Sequence, residues 1–400
     1  MANQTVATFL TLPVELFYRI LDHQSDLTIL CTMRNALITL NLGYSQFEDV
    51  GAQRLAEGLR RNTVIVIHSS AISCFYLRLS IKILTTLVLG CNKIGKIGAQ
   101  HLADALRYNT TLTTLKIRCN RIDDVGAQHF GDTLQHNMTL TILDVASNNI
   151  GHIGTQHLAD GLQHNIALTT LNLDYNQIGD VGAQHLAKNL RHNTTLTMLN
   201  LKSNKIRDIG AQYLAVALRY NTTLTTLGLE CNEIGQIGGK HLADALRCNT
   251  GLTTLNLDYN HIGDVGAQHL AGTLRHNTTL TTLNVGRNQV GDVGIQHLAN
   301  TLRYNTTLTT LNLQYNQAEN VGLQHFADAL RYNKANLESS LYNLYSELRS
   351  FQNELLDQTN HCIFPNLNKN LLQHSKELSN KINLTTNELF YLSILIPTRN

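Results

Sequence analysis

The stretch LNLDYNQIGDVGAQHLAKNLRHNTTLTM, residues 171–198, carries two different hydrophobic periods and decides the fold. Leu171 and Leu173 alternate with polar residues, as in a short strand with one buried face. From Val181 onward the apolar residues recur at helical spacing, which predicts a helix over residues 181–191. Asp180 stands where that helix needs an N-cap. Seven of the ten similar units along the chain have Asp or Asn at this position, and the helices of the three exceptions, at Lys96, His152 and Gln236, are expected to fray at their starts. One strand and one helix therefore fit into a segment of 28 residues.

Nearly the same segment recurs along most of the chain. Its clearest marker is an asparagine that returns at a constant interval of 28 residues. These nine ladder asparagines are Asn92, Asn120, Asn148, Asn176, Asn204, Asn232, Asn260, Asn288 and Asn316. A fixed period of this length predicts a solenoid, in which similar units stack and share one core. We expect each recurring amide to satisfy backbone groups where the chain turns away from a strand.

The pattern L-x-L-x-x-N before each ladder asparagine resembles the leucine-rich repeat, in the long subtype of ribonuclease inhibitor and of the NOD-like receptors. The resemblance covers residues 37–333 as ten units. It implies an α/β solenoid with a curved parallel sheet inside and helices outside. Helical segments are expected on both sides of the repeats, over residues 1–36 and 334–400, the second because leucines recur there at alternating spacings of four and three.

The segment before the repeats allows two interpretations. It resembles the opening L-P-x-E-L, then I-L, of an F-box, which in that family binds a Skp1-type adaptor of cullin–RING ubiquitin ligases. The matching residues, and hence the candidate adaptor contacts, are Leu12, Pro13, Glu15, Leu16, Ile20 and Leu21. An F-box normally continues well beyond this point, whereas here a repeat strand begins at residue 37. The alternative is an amphipathic cap that covers the exposed end of the repeat core.

The first repeat unit is irregular. Ser45 replaces its ladder asparagine, and 19 additional residues lie around positions 64–83. This segment is apolar, but His68, Arg78 and Lys82 within it argue against a membrane span. We expect a loop or an extra strand beside the solenoid, or a stretch retained through imperfect splicing.

Composition restricts the class of partner and the compartment. The chain has 400 residues, a net charge of +2 and 15% charged residues, which argues against nucleic acid or an anionic membrane as the main partner. Its seven cysteines form no regular framework, and no basic segment precedes an apolar core at the N-terminus. These features predict an intracellular protein, cytoplasmic or nuclear.

No residue pattern predicts catalysis, a cofactor or a metal. Eight histidines share one helical position, and neighbouring helices are about 8–10 Å apart, which is too far for them to share one metal ion. They are His101, His129, His157, His185, His241, His269, His297 and His325. The repeats also resemble those of Ran GTPase-activating proteins, in which an arginine acts on a nucleotide in trans. No arginine of this chain is singled out for that role, so we predict that the chain is not an enzyme.

Differences between units point instead to a protein ligand on the concave face of the sheet. Charged residues vary at the positions two and four before each ladder asparagine, and aromatic residues or arginine directly precede several of them. The candidate partner-binding residues are Lys116, Arg118, Arg121, Asp144, Asp174, Tyr175, Lys202, Glu230, Asp258, Tyr259, Arg287 and Tyr315. Two functions remain open: a substrate receptor of a Skp1-dependent ubiquitin ligase, or a regulatory binding scaffold like ribonuclease inhibitor and the NOD-like receptors.

Overall fold

Strands and helices alternate along the described chain and build one parallel sheet. A computed structural model describes residues 39–46, 48–61, 64–68, 76–80 and 84–332. The ten sheet strands are β1 (Thr39–Asn41), β4 (Thr86–Val88), β5 (Thr114–Lys116), β6 (Ile142–Asp144), β7 (Thr170–Asn172), β8 (Met198–Asn200), β9 (Thr226–Gly228), β10 (Thr254–Asn256), β11 (Thr282–Asn284) and β12 (Thr310–Asn312). The ten helices are α1 (Glu48–Arg61), α2 (Lys96–Leu106), α3 (Asp124–Leu134), α4 (His152–His164), α5 (Gly179–Leu190), α6 (Asp208–Leu218), α7 (Gln236–Leu246), α8 (Gly263–Leu274), α9 (Asp292–Leu302) and α10 (Asn320–Tyr332). The predicted α/β solenoid is confirmed.

The core lies between the sheet and the helices. Strands pair in strict register, so that Leu171 of β7 lies beside Leu199 of β8. Leu171 and Leu173 are fully buried, as the alternating pattern predicts, while Leu186 packs onto them from α5. Because every unit repeats these positions, the buried leucines form one continuous column that no single unit could bury alone.

The ladder asparagines join each unit to its neighbours. The Asn204 amide nitrogen donates to Leu173 O of the preceding unit at 2.9 Å and to Lys202 O of its own unit at 3.1 Å. Its amide oxygen accepts from Asn176 N at 3.2 Å and from Ile178 N at 3.4 Å. Corresponding bonds recur at the other ladder positions. The expected role of the amide is confirmed, and it extends across the unit boundary.

A second set of asparagines, at the same 28-residue interval, ties the helix ends together. The Asn249 amide nitrogen donates to Leu218 O at 2.7 Å and Asn221 O at 2.8 Å, and its oxygen accepts from Gly251 N at 3.1 Å and Leu252 N at 2.8 Å. All members are buried, and they are Asn109, Asn137, Asn165, Asn193, Asn221, Asn249, Asn277 and Asn305. Several of them begin N-x-T triplets. The burial and hydrogen bonds of these amides explain why the triplets recur along the chain.

The helix caps differ from the prediction. The Asp180 carboxylate does not cap its own helix α5; it accepts from Arg207 N at 2.8 Å and Gly210 N at 2.9 Å at the start of α6. In the same way Asp208 accepts from Gly235 N at 2.7 Å and Gly238 N at 2.8 Å, and so caps α7. An aspartate of one unit thus caps the helix of the next.

This arrangement overturns the expectation that helices beginning with Lys96, His152 and Gln236 fray because they lack an acidic cap. Those three helices are capped by Asp49, Asp124 and Asp208 of the preceding units. Among the helices whose starts the structure describes, α2 to α10, those without a side-chain cap are α5 and α8, which follow units that lack the aspartate. Both begin at a glycine with positive φ, 60° at Gly179 and 59° at Gly263, where a side chain would be strained. Helix α3 also follows such a unit, but its own Asp123 accepts from Gly126 N at 3.0 Å.

The irregular first unit contains a separate pair of strands. β2 (Val64–His68) and β3 (Tyr76–Ser80) pair antiparallel, while β1 pairs directly with β4. The additional segment therefore does not interrupt the ten-stranded sheet. The predicted N-terminal and C-terminal helical segments, residues 1–36 and 334–400, lie outside the described residues.

Candidate functional site

One face of the sheet carries the variable residues and does not pack against the helices. We call it the sheet face; it consists of the residues two and four before each ladder asparagine. Lys116 and Arg118 are exposed there at the end of β5, and Arg121 is exposed just beyond the turn. Neither Lys116 nor Arg121 forms a salt bridge within the described part of the chain. These three cations lie on one unit and are available to an acidic group of a ligand.

The candidate carboxylates on the sheet face are less exposed. Asp144 is buried and accepts a hydrogen bond from Ala146 N at 3.1 Å. Asp174 is half-buried and accepts from Lys202 N at 2.8 Å. Asp258 accepts from Gly286 N at 2.7 Å and from the Asn312 amide at 3.2 Å. Asp174 and Asp258 therefore also join neighbouring units, whereas the Asp144 hydrogen bond stays within its own unit.

Burial changes the proton affinity of three of these acids. It raises the pKa of Asp174, and the hydrogen bond from the Lys202 backbone opposes that rise only in part. Burial likewise raises the pKa of Glu230 and of Asp258. Glu230 accepts a short hydrogen bond from the Asn256 amide. A cationic group on a ligand would stabilise the negative charge of these partly buried carboxylates.

A row of side chains follows the edge of the sheet. We call it the edge row; it consists of the residues directly before the ladder positions, and all are left-handed, with φ between 53° and 59°. The Arg287 guanidinium lies 4.4 Å from the ring centre of Tyr259 and 4.1 Å from that of Tyr315. The Lys202 ammonium lies 5.4 Å from the ring centre of Tyr175. Tyr259, Arg287 and Tyr315, which come from three consecutive units, thus form one stacked cluster, and Lys202 with Tyr175 forms a separate pair.

The sequence pointed to two further sets of residues. The candidate adaptor contacts, from Leu12 to Leu21, lie outside the described residues. The eight recurring histidines are half-buried along the helices. Across the described ranges, His, Cys, Asp and Glu form no group of three or more that could hold a metal ion.

Sequence reasoning did not foresee two features of this surface. The repeat puts Cys91 and Cys119 in equivalent positions of adjacent units, within reach of each other, but the sequence alone did not indicate that the Arg118 side chain interacts with the Cys119 thiol. Sequence reasoning also treated the tyrosines as separate anchors rather than parts of a stack. The constant 28-residue interval could have predicted this stack, since residues in equivalent positions of adjacent units must be neighbours in a register-matched sheet.

Among the described helices, none is long and apolar enough to cross a membrane. The helix side instead presents a cleft of about 540 Å³ between α7, α8 and α9, with Asp244, His269, Arg275 and Tyr304 among its lining residues.

The fold and the repeated site define a class, the α/β solenoid with a parallel sheet on one side. A family model described as "Leucine Rich repeat" matches nine segments that together make up just over half of the chain. They are residues 82–103, 108–131, 136–159, 164–187, 192–215, 220–243, 248–271, 276–299 and 304–327. The chain belongs to the leucine-rich repeat family.

Other comparisons add little. No curated protein matches the chain. Among solved structures, the chain is similar to one described as "Leiomodin-1 Actin-Binding Site 2 (ABS2)", at 18% identity and a TM-score of 0.31. That match covers 51% of this chain and 95% of the other. A likeness this distant carries no argument about function.

Proposed function

We propose that the chain is a protein-interaction scaffold that binds a protein ligand on the sheet face and the edge row. The observation that carries this proposal is the stack of Tyr259, Arg287 and Tyr315. About half or more of each tyrosine is exposed, with values of 48% for Tyr259 and 61% for Tyr315. Aromatic and arginine side chains are the commonest strong contributors to protein interfaces. Held by their neighbours, these side chains lose little freedom on binding.

The charge distribution supports a ligand that carries opposite charges at its two ends. Lys116, Arg118 and Arg121 lie on one unit, whereas Glu230 and Asp258 lie four and five units further along. With strands about 4.8 Å apart, these groups are separated by about 20 Å. A protein segment with an acidic end over the cations and a basic end over the carboxylates would fit this order.

The test compares two variants that remove the same charge from different sides. One replaces Lys116 and Arg118 of the sheet face, and Arg121 just beyond the turn, by Gln. The control replaces Arg107, Arg219 and Arg247 by Gln, which are exposed at helix ends. Affinity capture from an extract of the cells that express the chain, read by mass spectrometry, should lose its specific protein with the first variant only. Equal capture by both variants, or loss with the control alone, would contradict binding on the sheet face.

A second candidate function adds a ligase link. The match of Leu12, Pro13, Glu15 and Leu16 to the F-box opening supports a Skp1-type adaptor as a further partner. The solenoid would then hold a target protein near a ubiquitin ligase, and its contribution would be proximity alone. The competing proposal is a regulatory binding protein of the ribonuclease-inhibitor or NOD-like-receptor type, with no ligase link.

A purified adaptor distinguishes these two. The full chain and a Leu16→Asp, Ile20→Asp variant are each incubated with a Skp1-type adaptor and recovered. Capture by the wild type and loss in the variant would support the receptor. No capture by either would leave the regulatory scaffold, and this result does not affect the sheet-face test, because it concerns a different part of the chain.

A further inference from the structure

We propose that Cys119 and Cys91 form a peroxide-sensitive thiol pair, in which Cys119 is oxidised first and Cys91 then closes a disulfide between two repeat units. The inference does not depend on which protein the sheet face binds. It would make this part of the edge row a site of reversible modification by hydroperoxides.

The sheet register places the two cysteines side by side. Val88 of β4 pairs with Lys116 of β5, and the cysteines follow these partners by the same three residues. Cys91 N donates to Arg118 O at 3.0 Å, so the pairing continues up to the thiols. Neighbouring strands are about 4.8 Å apart, which lies within the range of about 4.4–6.8 Å that Cα atoms of a disulfide require. Both cysteines are free and half-buried.

The surroundings favour reaction at Cys119. Burial acts to raise the pKa of its thiol, but interactions with Arg118, Cys91 and Ser147, together with the positive charge of Arg118, outweigh burial, and the pKa is lowered. Cys91 in turn interacts with Tyr44, and this contact is the largest cause of the raised pKa of the Tyr44 phenol. The nearby acid is Asp144, which acts on Arg118. A thiol that is partly accessible, beside a cation and next to a second thiol has the arrangement typical of oxidant-sensitive cysteines.

The chain provides its own comparison sites. Cys231 occupies the same position in the edge row, but its neighbours there are Ser203 and Tyr259, so no second thiol lies beside it. Cys248 is exposed at the end of α7. If exposure alone decided reactivity, Cys248 would react first. If the neighbouring guanidinium and second thiol decide reactivity, Cys119 would react first.

The chemistry balances with hydrogen peroxide as the oxidant. The Cys119 thiolate attacks the O–O bond, an S–O bond forms, and hydroxide leaves to become water. The Cys91 thiolate then attacks the sulfenic sulfur, the S–S bond forms, the S–O bond breaks, and the second oxygen leaves as water. The two thiols together lose two electrons, which reduce one peroxide to two waters.

The test exposes the full chain to hydrogen peroxide, blocks remaining thiols by alkylation, and maps the peptides without reduction. We expect a Cys91–Cys119 linked peptide to form before Cys231 or Cys248 is modified. In a Cys91→Ser variant, a 1,3-dione probe for sulfenic acid should label Cys119. In a Cys119→Ser variant, Cys91 should remain unmodified at the same exposure. An Arg118→Gln variant should lose the preference for Cys119 over Cys248.

These substitutions are matched to the fold. Ser147 and Ser203 occupy the cysteine position in other units, and Gln314 occupies that of Arg118. A thermal melt of each variant confirms that it is folded before its thiols are compared. Earlier oxidation of Cys248, no linked Cys91–Cys119 peptide, or an unchanged preference in the Arg118→Gln variant would overturn the proposal.

Discussion

Replacing Asp208 by Ala should weaken a helix that lies one unit away from the substitution. The Asp208 carboxylate accepts from Gly235 N at 2.7 Å and Gly238 N at 2.8 Å, both at the start of α7. Loss of an aspartate cap costs about 0.5–2 kcal/mol. Because one oxygen here holds two backbone donors and is partly buried, we expect the upper part of that range, about 1–2 kcal/mol, which corresponds to about 5–30-fold in a local equilibrium.

Hydrogen exchange resolved at single amides measures this effect. In the Asp208→Ala variant, Gly235 and Gly238 should exchange about 5–30-fold faster, since their opening no longer breaks a bond to the carboxylate. Gly210, which Asp180 holds at the start of α6, should keep its protection. The matched control is Gln236→Ala, because Gln236 occupies the same position in its unit and caps no described helix. Faster exchange confined to α6, with α7 unchanged, would refute capping across the unit boundary.

Three further predictions concern the buried amides, the carboxylates and the edge row. Asn249→Ala removes four hydrogen bonds and leaves buried backbone groups unpaired, so it should lower the free energy of unfolding by about 2–5 kcal/mol in urea melts, whereas the exposed Asn149→Ala should change it little. Asp174→Asn keeps the acceptor for Lys202 N but removes a charge that the fold disfavours; because burial raises the folded-state pKa, the variant should gain stability over the wild type at neutral pH. That gain in stability should vanish as the pH falls through the raised pKa, since the wild-type carboxyl is then neutral as well. A gain that grows on acidification would contradict a raised pKa of Asp174 in the folded protein. A double-mutant cycle of Arg287→Gln with Tyr315→Ser should give a coupling energy of about 0.5–1 kcal/mol, and a coupling near zero would show that the stack adds nothing to stability.

The sequence allowed the repeat architecture to be predicted because period and packing are linked directly. An interval that is constant over nine asparagines leaves only a stacked arrangement, and within it Leu171 and Leu173 must face the core. The same regularity predicted that the ladder amide serves the backbone. None of these inferences required knowledge of which unit a side chain reaches.

The errors arose where a side chain serves the neighbouring unit. Asp180 has the type and position of a cap for α5, and only three-dimensional register shows that its oxygen reaches α6 instead. The second set of asparagines, to which Asn249 belongs, was not recognised from the sequence, although its 28-residue spacing is as regular as that of the ladder. Burial of Asp144 and the positive φ of the edge row likewise depend on how strands pair, which local sequence does not encode.

Binding on the sheet face is tested most directly by hydroxyl-radical footprinting of the full chain with and without the protein it captures. The chain offers two matched sets of exposed tyrosines. Tyr175, Tyr259 and Tyr315 belong to the edge row, whereas Tyr108, Tyr220 and Tyr304 follow helix ends, where Arg60, Arg191 and Arg275 stack on them. We expect the bound protein to shield the first set from oxidation and to leave the second set reactive. Shielding of Tyr108, Tyr220 and Tyr304, with the edge row still reactive, would contradict it.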